Sequence, residues 1–297
     1  GAKAREHIAF TTDKEKGNLN IIAQREDIPA YVIPEGVGGR FCVLSPVGLL
    51  PFAACGIDIA ALLAGASAME ARAQERKLWH NPPYLAATLQ VIALQRGYDI
   101  SVMMPYADGL RYISDWYAQL WAESLGKRLD KLGNEVFSGQ TPVKALGTTD
   151  QHSQIQLFTE GPNDKTITLI GVEKFDRDLT IPNLYPDIEG ISFLGGHSMG
   201  ELLAAELRAT EYALTKAKRP NLRITLPRLD AYALGELLEF FMLQTAFAGQ
   251  LLHIDPFDQP GVEEGKNVTY GLMGKKGYEK KLVELENMPA RLPTYQL

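Results

Sequence analysis

The feature that most constrains this chain is the alternation of short apolar, strand-like runs with long helix-like stretches. Residues 100–106 read as a buried strand, 165–170 alternate like one, and 222–227 read as a third. Helical patterns cover 57–76, 84–95, about 109–125, about 198–218 and 230–249, and another helix begins near Asp150. Strands alternating with helices predict α/β layering around a mainly parallel sheet. Gly171 interrupts the 165–170 run and predicts a bulge or the strand's end. Near the N-terminus, strands at 7–11 and 30–34 flank a helix at 14–24. Such a unit needs companion strands to cover its edges, and only two strands are offered before residue 41. The pattern therefore points to something upstream. The tail carries helices at 261–272 and 278–286.

The most apolar stretch, 41–66, contains Ser45, Pro46, Pro51 and Asp58, which break a membrane-spanning run of about 20 residues. It reads as two buried helices, the second opening near Asp58 as a possible N-cap. No leader of the signal-peptide kind is evident, so a cytoplasmic location with no membrane contact is expected. The chain has 297 residues, is 45% hydrophobic, and carries a formal net charge of -6 with no stretch rich in Lys or Arg. A nucleic-acid partner would want a basic stripe, so that class is disfavoured. A few local cations could still hold an anionic small molecule. Cys42 and Cys55 are the only cysteines and are expected to be buried, reduced thiols. The histidines show no ligand spacing, so no metal site is expected.

Several constellations could carry chemistry. Gly36-Val37-Gly38-Gly39-Arg40 follows a strand and precedes an apolar helix. Glycines let a backbone approach a ligand closely, and an arginine there can bind an oxyanion. A tight turn with a surface arginine is the competing reading. Gln119 and Glu123 are four apart and share a helix face rich in Trp116, Tyr117 and Trp121. A carboxylate beside indole rings can have its pKa raised and act as a general base; a helix-end pair with Lys127 is the alternative. His152 follows Thr149-Asp150, where a helix dipole would keep its ring neutral. A structural hydrogen bond would explain it equally. Phe257-Asp258-Gln259-Pro260-Gly261-Val262-Glu263 leads into a helix bearing Lys266, with Pro260 at its first position and Gln259 and Lys266 on one side, two turns apart. Lys266 as a plain surface cation competes with that. Gly196-His197-Ser198-Met199-Gly200 fits the G-x-S-x-G nucleophile elbow, with Asp230 and His253 as conceivable partners, but no HGGG-type oxyanion segment is present.

Taken together, these segments resemble the phosphoglucose isomerase family. The resemblance rests on Gly38-Gly39-Arg40-Phe41-Cys42-Val43-Leu44-Ser45 followed by Val47-Gly48-Leu49-Leu50-Pro51, on Gln119 to Lys127, on Gly147-Thr148-Thr149-Asp150-Gln151-His152-Ser153, and on Phe257 to Glu263 with Lys266. Their order and spacing match the compact bacterial members across nearly the whole chain. The resemblance implies sugar-isomerase (SIS) type α/β domains: 1–45 as the remnant of a first, 46–250 as a second parallel-sheet domain with flanking helices, and 251–297 as a C-terminal helical segment. It also implies cofactor-free, metal-free interconversion of glucose 6-phosphate and fructose 6-phosphate through a cis-enediol(ate), a step of glycolysis and gluconeogenesis. By position, Glu123 would move the proton between C2 and C1, and His152 and Lys266 would assist ring opening. Arg40 would stabilise the enediolate, while Gln119, Gln259 and the Gly39 backbone would hold substrate. The histidine would be donated across a homodimer interface. Cys42 stands where the family usually has Ser or Thr. The family's Ser-Gly-Thr-Thr phosphate loop is nowhere in this sequence, so the chain is expected to be a fragment with incomplete phosphate anchoring. The rival readings are a sugar-phosphate-binding module without turnover and a serine hydrolase acting through Ser198.

Overall fold

The computed structural model describes residues 3–289. The first half comprises β1 (Phe10–Thr12), α1 (Asn18–Glu26), β2 (Ala30–Val32), α2 (Pro46–Ala54), α3 (Ile59–Ala73), α4 (Pro82–Gln95), β3 (Ile100–Pro105) and α5 (Ile113–Leu125). Next come β4 (Lys127–Leu129), β5 (Glu135–Ser138), β6 (Thr141–Lys144), α6 (Thr149–Ser153), α7 (Ile155–Glu160) and β7 (Lys165–Lys174). The chain continues through α8 (Glu189–Ser192), α9 (Met199–Lys216), β8 (Asn221–Arg228), α10 (Ala231–Leu251), α11 (Glu263–Leu272) and α12 (Glu279–Glu286). Residues up to Pro256 form one compact unit and those from Phe257 another.

The first unit is an α/β fold around a parallel sheet of order β6-β3-β7-β8, with helices on both faces. Alternating side chains of the central strands separate the two layers. Met103, Ile170 and Val172 pack with helices α3, α4, α5 and α10. Val102, Met104, Ile167 and Leu169 pack with Phe158 of α7 and with Leu207 and Leu214 of α9. Two smaller sheets stand apart: parallel β1-β2 and the antiparallel pair β4-β5.

Local sequence explains many of the boundaries. Asp58 caps α3 by accepting from the Ala60 and Ala61 amides, each at 3.0 Å. Ser198 and Glu201 form a reciprocal capping box at the start of α9. Asp230 caps α10 through the Ala233 amide.

Other expectations need correction. Residues 4–7 form a 3-10 turn, and the first strand begins only at Phe10. Helix α1 starts at Asn18, after Gly17, not at residue 14. Gly171 neither bulges nor ends a strand: β7 runs through it and pairs it with Thr225. A Cβ there would meet Leu207 Cδ2 at 2.6 Å, so the glycine admits α9 against the sheet. Cys55 is exposed; only Cys42 is buried. Among the described residues, no helix is long and apolar enough to cross a membrane.

In the second unit, a 3-10 turn at Pro260–Val262 leads into α11, and α12 follows. Lys275 sits 3.8 Å over the Tyr270 ring, and Tyr270 meets Tyr278 edge-on. Lys281 of α12 pairs with Glu264 of α11 at 2.9 Å.

Candidate active site

The parallel sheet has an amino edge and a carboxyl edge, the two ends of its strands, and helix α5 connects them. Its start lies at the carboxyl ends of the strands, where the Ser114 hydroxyl donates to the Met103 and Ala145 carbonyls at 3.2 and 3.4 Å. Its end lies at the amino ends. There Trp121 Nε1 donates to Gln140, just before β6, and Gln140 donates to the Tyr98 carbonyl, just before β3. From Ser114 to Glu123 the helix climbs nine residues, about 14 Å.

The amino edge holds Arg40 and Glu123. Residues 39–41 form a 3-10 turn that is locked from within. Cys42 Sγ donates to the Gly39 carbonyl at 2.8 Å, and Ser45 Oγ donates to the Cys42 carbonyl at 2.7 Å. The thiol thus makes the bond a Ser or Thr hydroxyl would make, and burial pushes its pKa up. This turn sends Arg40 inward rather than to the surface: its side chain is only 5% exposed. The guanidinium donates from Nη1 to Glu123 Oε2 at 2.9 Å, from Nε to Ser124 Oγ at 3.0 Å, and from Nη2 to the Pro256 carbonyl at 3.0 Å. Buried Lys127 donates to the main-chain carbonyl of Glu123 at 2.8 Å, satisfying an acceptor at the end of α5. The Glu123 side chain is 37% exposed, so the carboxylate faces solvent with the buried cation behind it.

The indoles do not furnish the apolar wall expected beside Glu123. Trp121 is buried and stacks on Tyr117, while Trp116 packs edge-on to Phe241 in the core. The carboxylate is ion-paired with Arg40 at 2.9 Å. Gln119 lies one turn earlier on α5 and is exposed.

His152 lies at the other edge. The Gly147 amide donates to the carbonyl of Pro105, the last residue of β3. Helix α6 spans only five residues, with His152 in its last turn, so the expected N-terminal dipole does not apply. The imidazole is exposed and, among the described residues, has no hydrogen-bond partner. Its backbone is nevertheless well tied. Asp150 accepts from the Leu146 amide at 2.7 Å and from Ser153 Oγ at 2.6 Å. Despite partial burial, those bonds and one from Gln154 hold the Asp150 carboxyl below the usual range. Gly147 lies flat on the Tyr106 ring, where a Cβ would meet ring carbons at 2.5 Å.

The structure brings Gly39, Arg40 and Glu123 together and places His152 apart from them. Gln259 precedes the Pro260–Val262 turn rather than lying on a helix, so it and Lys266 do not share a helical face two turns apart. Pro260 opens that turn, not α11. Lys266 is exposed and bonds to Glu263 at 2.8 Å.

The Ser198 elbow dissolves. Its hydroxyl donates to Asp178 at 2.6 Å and accepts from the Glu201 amide, while His197 faces Glu201. Ser198 is a helix cap, and among the described residues no histidine sits on its Oγ to activate it. The sequence reading missed Ser124 and the Pro256 carbonyl as partners of Arg40. Ser124 adjoins Glu123 and could have been suspected; nothing local marks Pro256.

The family model described as phosphoglucose isomerase matches residues 1–286. Glucose-6-phosphate isomerase of Carboxydothermus hydrogenoformans is 53% identical over 285 residues, which are 96% of this chain and 61% of that protein. Among solved structures, a hypothetical protein of Thermus thermophilus superposes with a TM-score of 0.86 at 42% identity, over 92% of this chain and 64% of that one. A glucose-6-phosphate isomerase of Chlamydia trachomatis gives 0.78 at 26% identity, over 95% of this chain and 56% of that one. The chain thus spans about three-fifths of the length of these relatives.

Proposed function

This chain belongs to the phosphoglucose isomerase family, and from that premise we propose that it carries the proton-transfer half of an aldose-ketose isomerase. The substrates proposed are glucose 6-phosphate and fructose 6-phosphate. The observation that carries the reading is the buried Arg40 guanidinium held 2.9 Å from a solvent-facing Glu123 carboxylate. In the open-chain aldose, Glu123 takes the proton from C2 as electrons move onto the carbonyl oxygen. The cis-enediolate that forms is stabilised by Arg40, a preorganised cation that needs no rearrangement as charge develops. A proton passes from O2 to O1 of the enediolate, and Glu123, now protonated, returns its proton to C1 as the C2 carbonyl forms, which gives the ketose. Gly39, Gln119 and Gln259 are the proposed substrate holders, and Lys266 with His152 the proposed ring-opening pair. SIS-type domains and a cytoplasmic place in glycolysis and gluconeogenesis complete this reading.

We infer a homodimer from the topology. Glu123 and His152 of one copy stand at opposite edges of the sheet, whereas both must reach one sugar. A second copy that presents its carboxyl edge to the first copy's amino edge unites them, and two-fold symmetry then makes two equal sites. Supporting this, the segment after β7, at the His152 edge, leaves Leu179, Leu184, Tyr185, Ile188, Ile191 and Phe193 exposed. Exposed apolar residues in such number favour burial against another protein surface.

The test is a coupled fructose 6-phosphate to glucose 6-phosphate assay on this chain and on the chain extended to the length of its relatives. Turnover in the extended form that disappears with Glu123→Gln supports the proposal. A folded, extended protein without turnover refutes it.

A further inference from the structure

We infer that Glu206 is a positioning residue for His152, acting through Gln151; this rests on the proposed ring-opening role of His152. The problem it answers is geometric. His152 is exposed and, among the described residues, unpartnered on a five-residue helix, yet a proton donor must be aimed within a fraction of an ångström to be useful. Its own turn supplies ties within itself and to the sheet: Asp150 bonds back to Leu146 and Ser153, and Gln154 reaches the Lys144 carbonyl of β6. These fix the shape of the turn and, through Lys144 and Pro105, its seat on the sheet, but none of them reaches helix α9.

A side-chain bond from α6 reaches helix α9. Gln151 Nε2 donates to Glu206 Oε2 at 2.8 Å, across 55 residues of sequence. Glu206 sits on α9, beside Leu207, whose side chain is packed in the core with Leu214. Tyr106 is buried in that same cluster with Leu207 and Leu214, and burial pushes its phenol up to about 12. The ring of this same Tyr106 supports Gly147. Glu206 therefore belongs to the mount on which the His152 turn rests. Consecutive helical side chains diverge by about 100°. With Gln151 turned toward α9, the next side chain, His152, is turned away from it, out to solvent. The Gln151–Glu206 bond thus sets the direction in which the imidazole is presented.

The experiment compares Glu206→Ala, Glu206→Gln and His152→Ala. Turnover is measured on the extended chain with ring-closed substrate and with an open-chain analogue. The order of the His152 ring is measured by NMR relaxation on this chain. Glu206→Ala is expected to slow the ring-closed reaction about tenfold with KM little changed, while open-chain turnover stays within about twofold. The His152 ring should lose order at unchanged Tm. Glu206→Gln, whose amide oxygen can still accept from Gln151, should recover most of the loss. Equal losses on both substrates, or unchanged ring order in Glu206→Ala, would overturn the inference. If His152→Ala itself shows no split between the substrates, the ring-opening reading fails, and the ring-order measurement still decides whether Glu206 positions the imidazole.

Discussion

The amino and carboxyl edges of the sheet present their polar groups in opposite ways. At the amino edge, Glu123 is already engaged, its carboxylate held by a guanidinium that is itself buried and multiply bonded. At the carboxyl edge, the backbone of the His152 turn is engaged and the imidazole, among the described residues, is not. Ligands of open α/β sheets usually sit at the carboxyl edge, so the Arg40–Glu123 pair occupies the less usual place. The difference teaches that neither edge is a whole site. One holds a carboxylate with a buried guanidinium preassembled against it; the other holds an imidazole with an open face on a well-tied turn, which the proposed function casts as base and proton carrier.

The sharpest way to break the comparison is to remove the base. Glu123→Gln keeps an acceptor for Arg40 and nearly the same shape, but cannot carry the proton. Turnover of the extended chain should fall by roughly 10²–10⁴-fold, the usual worth of a general base, with substrate affinity largely kept. A loss expressed mainly in KM would show that Glu123 binds rather than transfers protons.

The next test asks whether the two edges meet between copies. Glu123→Gln and His152→Ala forms of the extended chain, each expected to be nearly inactive on ring-closed substrate, would be unfolded together and refolded. Random pairing gives mixed dimers with one intact site, so activity should return to about a quarter of the unmutated level. If none returns although mixed dimers form, both groups come from one copy and the topological argument fails.

How much of this was readable beforehand follows from the range of the signals. Helices α3, α9 and α10 announce themselves through local caps at Asp58, Ser198 and Asp230, because a cap is a contact within a few residues. Strand β6 did not, being four residues long with Pro142 inside it; it is tolerated because it lies at the sheet edge. The β4-β5 pair was equally silent. Arg40 and Glu123 could each be named from their motifs, but not their pairing, since 83 residues separate them. The burial of Arg40 depends on Pro256, still further along the chain. The reading of His152 failed in its mechanism because α6 ends after five residues, too soon for a dipole argument.

A smaller effect should separate charge from geometry at the amino edge. Arg40→Lys keeps the cation but cannot reproduce the fork that reaches Glu123, Ser124 and Pro256 together. Losing bonds of this kind in a buried place should cost about 1–3 kcal/mol, read as a lower denaturant midpoint at constant slope. A stability unchanged within error would mean that a single point charge suffices there and that the fork is idle.

The mildest test falls on the carboxyl edge and uses pH. Asp150 is held below the ordinary carboxylate range by its bonds, against the opposing effect of partial burial. Its folded pKa is depressed, so its contribution is complete above the unfolded value near 4 and is lost as pH falls through the folded value. Acidification below about pH 4 should therefore loosen the Leu146–Ser153 turn, seen as a titration of the Leu146 amide shift. Asp150→Asn should remove that titration while costing about 1 kcal/mol or less, because the amide oxygen can still accept from Leu146. If the Leu146 shift titrates unchanged in the Asn variant, some other acid governs the turn. In that event the rigidity of the His152 mount must come from Gln151 and Tyr106 rather than from the turn's own carboxylate.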